Sequence, residues 1–269
     1  MKLKPVPKLK IERRESIFIK SFKLAKSNPN KTGLMILFDI LFLVSIFALN
    51  SLTTYFAQSL VVPTTLFSAF VFIAFSLIYY LIALFAYSFF KYSVLDYIKS
   101  LFEKTEFSFK RLAQFYSLNI IIAGIFFAVM LLANFFLASI KPGYRPFVFV
   151  FLAIPYLLFL YVVANISHSL FYQGNSIKDS IKKSFRITFT KMKIYRETIL
   201  ILILLALVLW LLFFGSGYLI RLIGAKNYSL YLNAYAYFKQ ASIIVIDIVF
   251  YLAVLVNRIS FYSITKEIK

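Results

Sequence analysis

Six long apolar blocks constrain the fold of this chain more than any other feature of its sequence. Each block has more than 20 residues, which is long enough to cross a hydrocarbon core of about 30 Å at about 1.5 Å per helical residue. The chain is 62% apolar and 15% charged, and its mean hydropathy is +0.85. A soluble domain of 269 residues could not bury so much apolar surface. The blocks lack the alternation of barrel strands, so we predict an all-α polytopic transmembrane bundle.

We predict one spanning helix for each block. The six predicted spans are Gly33–Ala57, Thr65–Phe90, Ser117–Ile140, Arg145–Ser169, Thr198–Arg221 and Phe238–Ser260. The first block is too long for a signal peptide and has no small-residue cleavage site. We therefore expect the first helix to remain in the mature protein and the chain to form a single transmembrane domain over residues 1–269.

The distribution of positive charge predicts the orientation. Of the 30 Lys and Arg residues, 25 lie on the side of the membrane that carries both termini, and five lie on the other side. The positive-inside rule then places both termini in the cytoplasm, with the protein in the cell membrane. The first 14 residues form a basic tail that we predict to be flexible.

The net charge of +20 also bears on the partners. Cations beside membrane spans attract anionic lipid headgroups by about 1 kcal/mol each, so the lipid bilayer with anionic headgroups is the expected partner. Nucleic acid is not expected as a partner, although the basic tail is the one serious candidate for binding nucleic-acid phosphates. Other membrane proteins remain open as partners.

The sequence offers little chemistry for an enzyme. It has no cysteine and one histidine, His168, near the predicted cytoplasmic end of the fourth span. A single histidine cannot build a multi-histidine metal site, and no nucleophile, zinc or phosphate-binding motif occurs. We therefore expect no catalytic residue, no metal site and no cofactor, and we expect His168 to be an interfacial, hydrogen-bonded side chain.

A tripeptide recurs three times on the predicted cytoplasmic side. Ser21-Phe22-Lys23 is matched by Ser108-Phe109-Lys110 and, with Arg for Lys, by Ser184-Phe185-Arg186. Each copy stands shortly before an odd-numbered span, which indicates an internal repeat. We predict three parallel repeats of a cytoplasmic interface helix plus a transmembrane hairpin, over residues 11–90, 93–171 and 176–264. Whether the three repeats close into a pseudo-threefold ring stays open.

The segments that precede the hairpins have the apolar spacing of helices. Val94–Phe102 and Ile177–Phe185 each place apolar residues on one helix face. Such helices lie in the interface, with the apolar stripe toward the acyl chains and the cations toward headgroups. Lys23, Lys110 and Arg186 are accordingly the candidate lipid-headgroup contacts. The alternative is that the tripeptide only marks the start of a helix and binds nothing.

Three polar residues inside the predicted spans are candidates for an intramembrane site. Asp247 lies closest to the predicted midplane, Asp39 lies about 9 Å into the first span, and Asn134 lies in the outer half of the third. Buried ionisable groups in membranes are costly and often functional. Asp247 could carry a proton or cation in transport, or it could hydrogen-bond to a neighbouring helix and have a structural role.

Two segments that precede predicted spans resemble segments of other membrane proteins. We call them the lead-in segments. "SFKLAKSNPN" and "SIKDSIKKSFRITFTK" resemble the corresponding segments of uncharacterised prokaryotic multi-pass membrane proteins, including those similar to the membrane domain of glycerophosphoryl diester phosphodiesterases. The resemblance implies a helical membrane bundle with no chemistry of its own. Since the chain ends at Lys269, we expect no catalytic phosphodiesterase domain.

These observations favour a non-enzymatic membrane component that acts as a scaffold, an assembly factor or a lipid-organising protein. The competing class is a transporter or channel subunit for a small solute or ion, with Asp247 on the path. A polar cavity that reaches Asp247 would favour transport, whereas a solid apolar core would favour the scaffold.

Overall fold

The computed structural model describes residues 15–57, 65–224 and 228–268. These residues form eight α-helices and one short 3-10 turn, with no strand among them. The helices are α1 (Ile17–Ser27), α2 (Pro29–Ala57), α3 (Leu66–Ser100), α4 (Phe109–Ala138), α5 (Arg145–Tyr172), α6 (Ile177–Thr190), α7 (Met192–Gly224) and α8 (Tyr228–Ile268). The 3-10 turn Pro142–Tyr144 joins α4 to α5.

Six of the helices described are long and apolar enough to cross a membrane, namely α2, α3, α4, α5, α7 and α8. Each predicted span overlaps one of them and extends at most two residues beyond it, whereas the helices extend up to ten residues beyond the predicted spans. The prediction of an all-α fold with six long apolar helices is thus confirmed for the described residues, and these helices indicate a multi-pass membrane protein. Two consecutive pairs, α2 with α3 and α7 with α8, pack closely as hairpins, whereas α4 contacts α3 more than it contacts α5.

Local signals in the sequence explain where several helices begin. The Ser108 hydroxyl accepts a hydrogen bond from the backbone of Arg111 at the start of α4, and Ser176 caps α6 through the backbone N–H of Asp179 at 3.1 Å. Both serines satisfy backbone donors that the first helical turn leaves free. Between α1 and α2, Asn28 interrupts the helix, and Pro29 opens the next one, as the sequence predicts.

The packed core lies at one end of the bundle, the end that carries α1, α6 and the connection 101–108. We call this the basic end, and the opposite end the far end. The buried residues come from the parts of α3, α4, α5 and α8 near the basic end, together with α1 and α6. Toward the far end the helices expose their apolar side chains, and no residue in the most apolar window of α3 is buried. Those faces are available to lipid.

The segment Val94–Phe102 does not form a separate helix. Its first seven residues continue α3 to Ser100, and Val94, Leu95 and Ile98 are buried in the protein core. The apolar face that predicts a lipid-directed interface helix is therefore covered by protein. By contrast, α1 and α6 are short separate helices that precede the first and third hairpins.

The three copies of the tripeptide occupy different local positions. Ser21 and Ser184 lie inside α1 and α6 and are buried, whereas Ser108 is the residue that caps α4. Phe22 and Phe109 are exposed, at 53% and 76%. The third copy differs again, because Phe185 packs against Phe159 with ring centroids 5.8 Å apart. The equivalence of the three predicted units stays a prediction.

Candidate functional site

A buried ion pair joins the first and last spans near the basic end. One guanidinium nitrogen of Arg258 on α8 lies 2.6 Å from Oδ2 of Asp39 on α2. The hydroxyl of Tyr251, two turns earlier on α8, donates to the same carboxylate oxygen at 2.8 Å. Both charged side chains are mostly buried, with 20% of Arg258 and 15% of Asp39 exposed. Asp39 therefore bonds to two groups on one helix face, so these side chains link α8 to α2, whose backbones, over the described residues, do not pack directly against each other.

A second polar chain crosses α3, α4 and α5. The side-chain amide of Asn119 on α4 donates to Ser88 on α3 at 2.9 Å, and its oxygen lies 2.7 Å from Nε2 of His168 on α5. This geometry assigns the proton to Nε2, because the amide oxygen can only accept. His168 is buried, and its Nδ1 has no hydrogen-bond partner among the described residues. His168 thus forms a hydrogen bond, as predicted, but it lies in the protein core and not at the membrane interface.

Lys91 is the third charged residue of this region. Its side chain is on α3 and the residue is only 8% exposed. Its ammonium group lies 3.3 Å from Oδ1 of Asn165 on α5. Within the part of the chain that the structure describes, Lys91 forms no ion pair with a carboxylate. Among the described residues the cluster thus contains two basic side chains, Lys91 and Arg258, and the single carboxylate of Asp39, so Lys91 has no carboxylate partner there.

These groups surround a cavity of about 600 Å³ among α3, α4, α5 and α8. Its polar end is formed by Tyr87, Lys91, Asn119, Asn165, His168 and Arg258. Its other walls are apolar and run along α4 and α5 to Phe127, Met130 and Leu157, which are all exposed at the bundle surface. The cavity is therefore polar at the basic end and apolar where it opens toward the far end, between α4 and α5.

The predicted intramembrane residues lie in three different environments. Asp39 belongs to the buried cluster described above. Asp247 lies on the exposed surface of α8, and Asn134 lies on the exposed surface of α4. Neither residue takes part in a hydrogen bond or ion pair identified within the described ranges. The structure thus brings neither Asp247 nor Asn134 to the cavity.

The predicted headgroup contacts all lie at the surface of the basic end. Lys23, Lys110 and Arg186 are exposed on α1, α4 and α6. Lys23 also forms an ion pair with Glu15, and the hydrogen bond from Lys23 lowers the pKa of Glu15 below its ordinary value. Exposed cations outnumber exposed acids at this end by 13 to six among the described residues. This surface is suited to anionic headgroups.

Sequence reasoning missed the residues that form the polar end of the cavity. It assigned Lys91 to the loop that follows the second predicted span, and it counted Arg258 with the tail although Arg258 lies inside the sixth predicted span. It did not single out Asn119 or Ser88. A signal was present, since Asn119 interrupts the apolar run of its span and polar groups inside membrane helices usually face other helices.

No group of three or more metal-ligating side chains occurs within the described ranges. Comparison of the chain with protein-family models, with curated proteins and with solved structures finds no match. The resemblance of the two lead-in segments to other multi-pass membrane proteins therefore stays a prediction, and functional inference relies on the geometry of the cavity and of the basic end.

Proposed function

We propose that this protein is a non-enzymatic membrane component that organises anionic lipid around its basic end. The observation that carries the proposal is the excess of exposed cations there, most of them on or next to α1, α6 and the segment that leads into α4. Each such cation near an anionic leaflet contributes about 1 kcal/mol of attraction. A surface of this kind selects anionic over zwitterionic lipid without a catalytic group.

The burial pattern supports the same proposal. The protein packs tightly at the basic end, whereas the far halves of the spans expose large apolar side chains such as Phe47, Phe135 and Trp210. Lipid chains can therefore enter between the hairpins below headgroups held at the basic end. We infer that the basic end is cytoplasmic, since the positive-inside rule and the anionic cytoplasmic leaflet agree.

The separate helices α1 and α6 support an interfacial role for two of the three units. In both, basic residues such as Lys23 and Arg186 are exposed while Ser21 and Ser184 are buried against the protein. We infer that the three hairpins are repeats of one ancestral unit, and that the middle unit has its lead-in segment fused to α3. The differences in the tripeptide positions then arise from this fusion.

Transport is the less favoured function. That hypothesis required a polar path to Asp247, and this residue lies on the outer surface of α8. The basic cavity, in contrast, contains an excess of cations and opens sideways toward lipid.

The test is the lipid selectivity of reconstituted protein, measured with spin-labelled phosphatidylglycerol and phosphatidylcholine. The variant Lys23→Gln/Lys110→Gln/Arg186→Gln should lose preference for phosphatidylglycerol, by about fivefold at each site at about 1 kcal/mol per cation. The matched control Lys141→Gln/Arg145→Gln/Lys239→Gln removes three exposed cations at the far end and should retain most of the preference. Equal losses in the two variants would contradict the proposal.

A further inference from the structure

The buried cavity differs from the exposed basic surface in one respect, because it contains a lysine with no carboxylate partner among the described residues. Lys91 is more than nine-tenths buried, and its amine hydrogen-bonds to the neutral amide oxygen of Asn165. The one carboxylate of the cluster, Asp39, is engaged by Arg258 and Tyr251. An ammonium group removed from water without a counter-ion is costly, and such a group tends to lose its proton. A bound anion at the polar end of the cavity would favour the charged ammonium form and supply the missing counter-ion.

The depth of Lys91 indicates where such an anion would come from. The apolar stretch Leu66–Phe90 of α3 is about 37 Å long at the helical rise, which exceeds the hydrocarbon core of about 30 Å. Lys91 follows this stretch directly. Its ammonium group therefore lies near the level at which the headgroups of the basic-side leaflet meet the acyl chains.

From its polar end to its apolar opening, the cavity extends along the helices for about the depth of one leaflet, half of a hydrocarbon core of about 30 Å. Along α4 it extends from Asn119 to Met130, and along α5 from His168 to Leu157, so both walls run about 16 Å. These walls start at the polar end and point toward the bilayer centre. A volume of about 600 Å³ lies within the usual range for small-molecule sites.

The helices that form these walls are loosely paired. α4 and α5 contact each other much less than the helices of the other two hairpins do. Phe127 and Leu157, at the apolar end of the cavity, are exposed at the bundle surface, next to the hydrogen bond from the Tyr156 hydroxyl to the carbonyl of Phe126 that links α4 to α5. A molecule in the bilayer can therefore reach the cavity sideways without passing through the packed core.

We propose that this cavity binds one anionic amphiphile, with its charged oxygen group at Lys91 and its apolar chain between α4 and α5. The charged group is a phosphate or a carboxylate, since both supply anionic oxygens to an ammonium donor. The nearby amide groups of Asn119 and Asn165 and the hydroxyl of Tyr87 line the same end and complete a polar site for the headgroup. This is a single site that opens toward lipid, distinct from the exposed basic surface that the proposed function uses.

The test is native mass spectrometry of the purified full chain released from a neutral detergent. The probes are lysophosphatidic acid, oleate, the uncharged monoolein and inorganic phosphate. We expect one bound molecule per chain for an anionic amphiphile, and the probe that binds identifies the group as phosphate or carboxylate. Monoolein or inorganic phosphate binding as tightly as both anionic amphiphiles would overturn the proposal, as would the absence of any single adduct with them.

Two variants locate the binding in the cavity. Lys91→Met removes the charge at similar length and should weaken binding by about tenfold or more, because a charge-assisted contact is lost. The matched control Lys182→Met removes an exposed cation on α6 and should bind as the wild type does. Unchanged binding by Lys91→Met would overturn the proposal.

If Lys91→Met does not fold, Ala123→Trp provides the same test, because Ala123 lines the apolar wall and its replacement leaves every charge in place. It should also weaken binding by about tenfold or more, and unchanged binding would again contradict the site. The surface variant Lys23→Gln/Lys110→Gln/Arg186→Gln should keep the single adduct. Failure of the cavity site is thereby separated from failure of the proposed function.

Discussion

Asp39→Asn should destabilise the protein strongly, because it leaves Arg258 buried without its carboxylate. Breaking a buried ion pair by removing one partner costs roughly 3–5 kcal/mol. The two side chains retain 20% and 15% of their exposure, so we expect a value near the lower limit, about 3 kcal/mol. The amide oxygen of the introduced asparagine can still accept from Tyr251, so the expected loss comes from the charge and not from the hydrogen bond.

The free energy of unfolding in bicelles, obtained by steric trapping, measures this loss. Asp247→Asn is the matched control, since it makes the same chemical change on the exposed surface of α8 and should alter stability by less than about 1 kcal/mol. The double variant Asp39→Asn/Arg258→Met removes both charges and should recover much of the stability. If Asp39→Asn costs no more than Asp247→Asn, then the ion pair between Asp39 and Arg258 does not stabilise the protein, and the expected loss is contradicted.

Three further predictions follow from the helix contacts and the charge distribution. Asn119→Ala leaves His168 and Ser88 without their shared partner and should cost about 1–3 kcal/mol of unfolding free energy, whereas Asn134→Ala on the exposed face of the same helix should cost little. Ser176→Ala removes the cap of α6 and should cost about 1 kcal/mol, measured by the same steric-trapping assay, with rescue by Ser176→Asp. Because the chain has no cysteine, single cysteines report orientation directly: Lys141→Cys should react with an impermeant maleimide in intact cells, and Lys104→Cys only after lysis, whereas the reverse pattern would contradict a cytoplasmic basic end.

The six spans could be predicted from the sequence because their apolar length exceeds what a soluble core requires. Helix ends were harder to predict. The second span was ended at Phe90, since Lys91, Asp96 and Lys99 are typical of a loop, yet the helix continues to Ser100. Packing explains the difference. Tyr92 and Val94 are buried against neighbouring helices, and this tertiary environment accepts a charged residue that the linear pattern assigned to water.

The candidate site shows a related limit. Position along a helix gives the depth of a residue but not the direction in which its side chain points. Depth alone favoured Asp247, which lies on the outer surface, over Asp39, which lies in the buried cluster. The partners of Asp39 are more than 200 residues away along the chain, so no local pattern could identify them. The structural alternative given for Asp247, a hydrogen bond to a neighbouring helix, describes Asp39 instead.

The distribution of anionic lipid along the protein tests directly whether the basic end gathers anionic lipid. Photoactivatable phosphatidylglycerol can be cross-linked to the reconstituted protein and its attachment sites mapped by mass spectrometry, with photoactivatable phosphatidylcholine as the reference. If the basic end organises anionic lipid, headgroup cross-links should favour phosphatidylglycerol on α1, on α6 and at the start of α4 near Lys110. Equal labelling by the two lipids, or enrichment of phosphatidylglycerol around Lys141 and Lys239 at the far end, would contradict it.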